Sequence, residues 1–310
     1  MGSHANKLLN EKGWETVVLD NLVHGHREFA QWGKLVEADL NDRRSLRELL
    51  SGEKFDAVMH FAGYIAVGES VLDPELYYHN NVSASLVLLE EIKRAGIGRF
   101  IFSSTAAVYG QPLRLPLDEE HPLAPINPYG RTKLMIEQAM RDYSAAYGLK
   151  TAALRYFNAA GAAPGGGIGE RHDPETHLIP LALEAALGKR PQLYVYGTDY
   201  DTPDGTCIRD YVHVDDLAQA HLLALEYLEQ DGSFECFNLG NGTGFSVREV
   251  IEVARRVSGR DIKAVDSPRR EGDPPRLVAS SDKAKKVLGW KPQHTGLEDI
   301  VRTAWEWHKI

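Results

Sequence analysis

The sequence predicts an α/β protein in which a doubly wound parallel sheet is joined to a smaller mixed lobe. Three observations carry this. In the first half, short apolar, β-branched runs alternate with helix-like stretches. Those runs read as buried strands, which helices must cover on both faces. At 310 residues the chain also exceeds the usual size of one compact core.

Taken in order, the strand-like runs are Thr16 to Asp20, Leu35 to Asp39, Ala57 to Phe61, Arg99 to Ser103 and Ala152 to Tyr156. Helical stretches separate them: Arg44 to Leu50, then Leu76 to Ala95 with Leu86, Leu89 and Ile92 expected on one buried face. A helix opening after Pro128 carries an apolar face of Leu134, Ile136 and Ala139. Right-handed crossovers then give a parallel sheet with ligands at the carboxyl ends of its strands. The pattern changes after Phe157. A Gly/Ala/Pro-rich segment from Ala159 to Gly169 reads as a long functional loop. Shorter elements follow: a helix over His177 to Leu187, a strand over Leu193 to Tyr196, a helix over Asp215 to Leu228 and a strand over Glu235 to Leu239. Ser246 with Glu249 three residues on is a capping-box spacing. The expected division is a nucleotide-binding domain over 1–157 and 209–240 and a substrate lobe over 158–208 and 241–310.

Composition narrows the function classes. The chain is 43% hydrophobic and 25% charged, which is globular rather than disordered. Forty-four acidic residues against thirty-five Lys and Arg give a net charge of −9, which repels a nucleic-acid backbone. Cys207 and Cys236 are too few for a disulfide framework and have no metal-ligand spacing, so a reducing cytoplasm and no bound metal are expected. No stretch approaches the roughly 20 apolar residues of a membrane span, and the N-terminus lacks a secretion signal.

One helix start carries chemistry. Tyr129 and Lys133 lie four apart, hence one turn apart on one face. A nearby ammonium favours the phenolate, so the pair can serve as a general base near neutral pH. Such a pair is also common on ordinary amphipathic helices. Upstream, Ser103-Ser104-Thr105 ends a strand, where the Thr105 hydroxyl could bind the same substrate oxygen as Tyr129, or merely cap the next turn.

The strand-end Ser-Ser-Thr with YxxxK resembles the extended short-chain dehydrogenase/reductases. Five ordered blocks sharpen this: Phe61 to Ser70, Tyr77 to Val82, Leu154 to Asn158, Asp204 to Val214 and Arg269 to Asp273. Together they resemble the UDP-glucose 4-epimerase family along almost the whole chain. The resemblance implies a Rossmann-like sheet, tightly held NAD, and transient oxidation of a UDP-sugar at C4. Tyr129 would be the base, Thr105 would bind O4, and Lys133 would hold the nicotinamide ribose. Gly2, Asp20, Asn21, Asp39, Leu40, Phe61, Ala62, Gly63, Ile65, Asn80 and Phe157 complete the implied cofactor site. Asp20 favours NAD over its 2′-phosphate, although an Asp before Asn21 is also an ordinary turn residue. The UDP-sugar falls to Asn158, His177, Leu178, Tyr194, Tyr196, Arg209, Arg270, Asp273 and Leu277, a set with the Arg forks and aromatic neighbours that a nucleoside diphosphate needs. A homodimer is implied as well.

The chain departs from the family at its start. Members open with a strand and TGGxGYIGSH, whereas this chain reads Met1-Gly2-Ser3-His4. The resemblance then implies a sheet without its first strand, a cofactor loop short of two glycines, and weak NAD retention. Ile65 stands where some members carry Lys. Leu277, four after Asp273, takes a position beside the sugar's C2 substituent, where a bulky aromatic tends to exclude N-acetyl groups. Three rivals remain: a 4,6-dehydratase, disfavoured because Ala106-Ala107 replace an Asp-Glu pair after Thr105; 4-epimerisation of UDP-N-acetylglucosamine, UDP-xylose or UDP-glucuronate; and a non-catalytic binder of nucleotide-sugar or NAD.

Overall fold

A computed structural model describes residues 1–230, 233–270 and 273–310. Glu271 and Gly272 of the fifth sequence block lie outside the described residues. The chain runs through α1 (Gly2–Glu11), β1 (Val17–Asp20), β2 (Lys34–Glu37), α2 (Arg43–Gly52), β3 (Val58–His60), α3 (Val67–Leu72), α4 (Pro74–Tyr77), α5 (Ala84–Ala95), β4 (Arg99–Thr105), α6 (Pro128–Tyr147), β5 (Lys150–Tyr156) and β6 (Asn158–Ala160). It continues with α7 (Leu178–Ala186), β7 (Leu193–Tyr196), β8 (Ile208–His213), α8 (Val214–Gln230), β9 (Glu235–Leu239), β10 (Gly244–Ser246), α9 (Val247–Ser258), β11 (Ala264–Ser267), β12 (Arg276–Leu277) and α10 (Leu297–His308).

β3, β4, β5 and β9 form one parallel sheet in that order, and β1 pairs with β2 in a separate parallel ribbon. Among the described residues no strand hydrogen-bonds between β1 and β3. The strands are buried on both faces by strict alternation. Phe100 and Phe102 of β4 face a cluster with Leu46, Leu89, Ile92, Ile136 and Met140 from α2, α5 and α6. Ile101, between them, faces Leu217, Ala220, Ala224 and Leu228 of α8.

Two sequence expectations shift. The expected single helix from Leu76 to Ala95 is α4, a π-turn over Tyr78–Ser83, and α5. Its buried stripe is Ser85, Leu88, Leu89 and Ile92, while Leu86 is 37% exposed. In α6 the buried residues are Gly130, Thr132, Lys133, Ile136, Glu137 and Met140; Leu134 and Ala139 are only half-buried. Half of these buried residues are polar, which an apolar pattern does not register. Elsewhere boundaries agree closely: β7 and β9 coincide with the expected strands, and Ser246 makes both bonds of its capping box with Glu249.

The second half builds its own core. Leu183, Val195, Val250, Ile251, Ile300 and Val301 from α7, β7, α9 and α10 pack together. β8 is central to this half, bonding β10 antiparallel and β12 and β6 parallel. Asp210 pins it: its carboxylate accepts from the N–H groups of Asn241 (2.8 Å), Gly242 (3.0 Å) and Ala279 (3.1 Å).

Candidate active site

α6 begins where the sequence places it because Asn127 caps it, accepting from the Gly130 N–H at 2.8 Å, and Pro128 occupies the first turn without an unsatisfied N–H. That start sets Tyr129 beside the carboxyl end of β4. The Tyr129 N–H donates to Ser70 Oγ (3.2 Å), fixing α6 against α3. The Thr105 side chain hydrogen-bonds to the Tyr129 phenol, and its Oγ1 also accepts from the Ala107 N–H at 3.1 Å. Thr105 therefore performs the capping role that the sequence left open, and its side chain also faces the Tyr129 phenol. Burial raises the Tyr129 pKa above that of an ordinary phenol, and the Thr105 bond works the other way.

Lys133 lies one turn on, 2% exposed, with Nζ 5.9 Å from the Tyr129 ring centroid. Burial pushes its pKa down to about 8, opposed by Glu137. Nζ donates to the Ser103 carbonyl at 3.0 Å. An ammonium has three donors, so among the described residues two remain for a ligand in a site where leaving them unpaired is costly. Gly63 makes room at this spot: its φ is +147°, and a Cβ there would stand 3.5 Å from Lys133 Nζ and 3.2 Å from Asn81 Oδ1. Spare donors beside open backbone suit a ribose diol, so the residues present fit a dinucleotide.

Several of the other expected cofactor residues lie at the ends of β1, β2 and β3. Asp20 closes β1, with one carboxylate oxygen accepting from the Leu22 N–H at 2.8 Å. Asn21 donates to Asp39 at 2.8 Å, the main reason Asp39 sits below the usual carboxylate range. Leu40 packs on the α2/α5 core. A Cβ on Gly2 would touch the Phe61 ring at 3.5 Å, bringing the start of α1 against the Phe61-Ala62-Gly63 turn. Asn80 donates to Asn81 at 3.0 Å. Phe157 packs with Leu134 and Leu277 on a small cluster of Ala106, Val108, Tyr109 and Leu117. Ile65 is 43% exposed ahead of α3.

The expected sugar-nucleotide residues fall into three groups. Arg209 on β8 meets Asp273 at 3.2 Å and the Pro274 carbonyl at 2.9 Å; Leu277 of β12 pairs with Arg209 in register, and Asn158 donates to the Asp210 carbonyl at 3.0 Å. Tyr194 and Tyr196 share one face of β7, and the Arg270 guanidinium stacks 4.0 Å from the Tyr196 ring centroid. His177 and Leu178 open α7, and the His177 side chain contacts Glu170, Glu175 and His172 rather than the Arg209 group.

Sequence reasoning missed Asn81. Buried in the π-turn, it donates to the Tyr64 carbonyl (3.0 Å) and Thr132 Oγ1 (3.2 Å) and accepts from the Tyr64 N–H (2.8 Å), tying the cofactor turn to α6. The Asn80-Asn81 pair was the available signal; only the wide π-turn decides which of the two faces inward. Tyr156 and Glu137 were missed as well. The Tyr156 hydroxyl bonds to Ser103 Oγ in the same layer, and Glu137 pairs with buried Arg155 beneath Lys133.

Known proteins match this arrangement along nearly its whole length. Residues 1–240 fit the model of the NAD dependent epimerase/dehydratase family. A UDP-glucose 4-epimerase of Rhizobium meliloti (strain 1021) is 53% identical over 308 residues, 99% of this chain and 94% of that protein. The crystal structure of UDP-glucose 4-epimerase from Brucella ovis in complex with NAD superposes with a TM-score of 0.96 at 49% identity, over 98% of this chain and 94% of that one. The enzyme from Bifidobacterium longum, in complex with NAD+ and UDP, gives 0.94 at 37% identity, over 99% and 94%. With its α6 tyrosine and lysine set at the end of a wound parallel sheet, this chain belongs to the NAD dependent epimerase/dehydratase family.

Proposed function

We propose that this chain is an NAD-dependent UDP-glucose 4-epimerase, interconverting UDP-glucose and UDP-galactose through a transient 4-keto sugar. The observation that carries the reading is the Thr105–Tyr129–Lys133 constellation at the carboxyl end of β4, in which Lys133 is buried and keeps two ammonium donors to spare among the described residues. Bound NAD would supply the hydride-transfer chemistry at C4. Tyr129 accepts the O4 proton as the alcohol becomes a ketone and returns it when the alcohol re-forms, so the cycle is neutral in protons and electrons. Thr105 holds O4 by its hydroxyl. Lys133 binds the ribose diol with its free N–H groups, and its charge favours the Tyr129 phenolate.

Inversion requires that the keto sugar present its other face while the nucleotide stays bound. Arg209 and Arg270 would hold the diphosphate, Asn158 and the Leu178 backbone would orient it, and Tyr194 and Tyr196 would flank the base or sugar. Asp20 would accept from the adenosine ribose hydroxyls and Asn80 and Phe157 would line the nicotinamide. Ala106 and Ala107 offer no carboxylate beside Thr105, which argues against dehydration. No helix among the described residues is long and apolar enough to cross a membrane. Two free buried cysteines suit the cytoplasmic setting included in this reading, as is a homodimer.

Incubation of the purified chain with UDP-galactose and NAD tests it. Proton NMR should show UDP-glucose accumulating to a fixed ratio with no added oxidant. Saturable binding of UDP-galactose without turnover would instead make the chain a nucleotide-sugar binder.

A further inference from the structure

We propose a transition-metal site of the zinc type in the loop ahead of α7, formed by Glu170, His172, Glu175 and His177. One ligand atom from each of the four lies within 4.8 Å of all the others. His172 Nδ1 stands 3.3 Å from Glu170 Oε1 and 3.6 Å from Glu175 Oε1; His177 Nδ1 is 3.6 Å from Glu175 Oε1 and in closer contact with Glu170 Oε1. Bonds of about 2.0–2.1 Å from zinc to imidazole nitrogen or carboxylate oxygen place tetrahedral ligand atoms about 3.3–3.4 Å apart. Three of the six edges, at 3.3, 3.6 and 3.6 Å, already stand near that spacing, and the closer His177–Glu170 contact would open to admit an ion.

Charge and chemistry agree with the geometry. The carboxylates are well covered, with side chains 15% and 4% exposed. Neither forms an ion pair with a Lys or Arg among the described residues; the Met1 α-amino group bears electrostatically on Glu170 alone. Two carboxylates and two imidazoles neutralise a divalent ion, and this N2O2 set suits Zn2+ or Co2+ better than Mg2+ or Ca2+, which prefer oxygen alone. The loop is anchored before any ion arrives. Trp307 Nε1 donates to the Glu170 carbonyl at 2.8 Å, His26 bonds the Arg171 carbonyl at 3.1 Å, and the Arg171 guanidinium stacks 4.7 Å from the Phe29 ring centroid. Glu175 Oε1 accepts from the N–H groups of Thr176 and His177, which orients the carboxylate inward. Coordination through Nδ1 would fix both histidines as Nε2–H tautomers. The other His/Asp group, His213, Asp215 and His294, is no rival: both His213 ring nitrogens are already bonded, to Thr303 Oγ1 and the Asp215 N–H.

The test is a Co2+ titration of untagged, EDTA-stripped protein. One equivalent should bring up the intense visible d–d bands of four-coordinate cobalt, and one equivalent of Zn2+ should remove them. His172→Ala and Glu175→Gln should each weaken Co2+ binding by at least about 10–100-fold, the range that loss of even an outer-shell partner costs. The glutamine keeps an oxygen for the two backbone N–H groups, so its melting temperature in EDTA should match wild type. Pale six-coordinate spectra with wild-type protein, or an affinity unchanged in a folded variant, would overturn the proposal.

Discussion

Lys133→Met separates what the buried ammonium does for chemistry from what it costs the fold. At 5.9 Å from the Tyr129 ring centroid, its charge stabilises a phenolate by about 3 kcal/mol at an effective dielectric constant of about 20, roughly a hundredfold in phenolate population. Turnover at neutral pH, with NAD and UDP-galactose saturating, should fall by about that factor and recover partly as pH rises. Stability should move the other way. The folded-state pKa is about 8 against an ordinary 10.5, so the unfolded chain binds the extra proton between those values, and wild-type stability should rise across that window. At pH 7 the penalty is at most roughly 3 kcal/mol. Methionine removes it but leaves the Ser103 carbonyl without its donor, at about 1–3 kcal/mol. Nucleotide-free Lys133→Met should therefore be as stable at pH 7 as wild type, or up to about 2 kcal/mol more so, and should lose the rise above pH 8. Denaturant melts at pH 7, 8.5 and 10 alongside the assay test this. A variant within threefold of wild-type turnover, or one melting well below it with the same pH slope, refutes the reasoning.

Glu137→Gln should destabilise by about 3–5 kcal/mol in urea melts, because it strands the buried Arg155 guanidinium, whose Nε donates to Glu137 at 2.9 Å. Asn81→Ala should cost about 2–3 kcal/mol, leaving the Tyr64 N–H and carbonyl unpaired, and should weaken NAD retention measured by absorbance after gel filtration. Leu277→Tyr should depress turnover of UDP-N-acetylglucosamine more than that of UDP-glucose: Leu277 packs only half-buried beside Phe157, and the wild-type methyl contact is worth at most about 1 kcal/mol. Equal loss for both sugars would remove Leu277 from substrate selection.

The parallel sheet was legible because its strands are buried on both faces, which leaves unbroken runs such as Phe100 to Phe102. The Tyr129/Lys133 pair was legible because four-residue spacing fixes one helix face before any tertiary contact forms. What escaped depends on backbone detail or buried polarity. Asn81 turns inward through a π-turn that no periodicity announces, and α6 is buried through Thr132, Lys133 and Glu137, which a hydrophobic pattern assigns to solvent. The Glu170/His177 cluster escaped for a further reason. Its four residues alternate with others across a proline-containing loop, and only the folded loop turns them toward one point.

The most direct test of the account is Tyr129→Phe. The substitution removes one oxygen and leaves the ring, the Asn127 cap and the Ser70 contact in place. UDP binding and melting temperature should stay at wild-type values while conversion of UDP-galactose falls by at least the ~10²–10⁴-fold that a general base supplies. Turnover near wild type with intact UDP binding would contradict the assignment of Tyr129 as the group that moves the O4 proton.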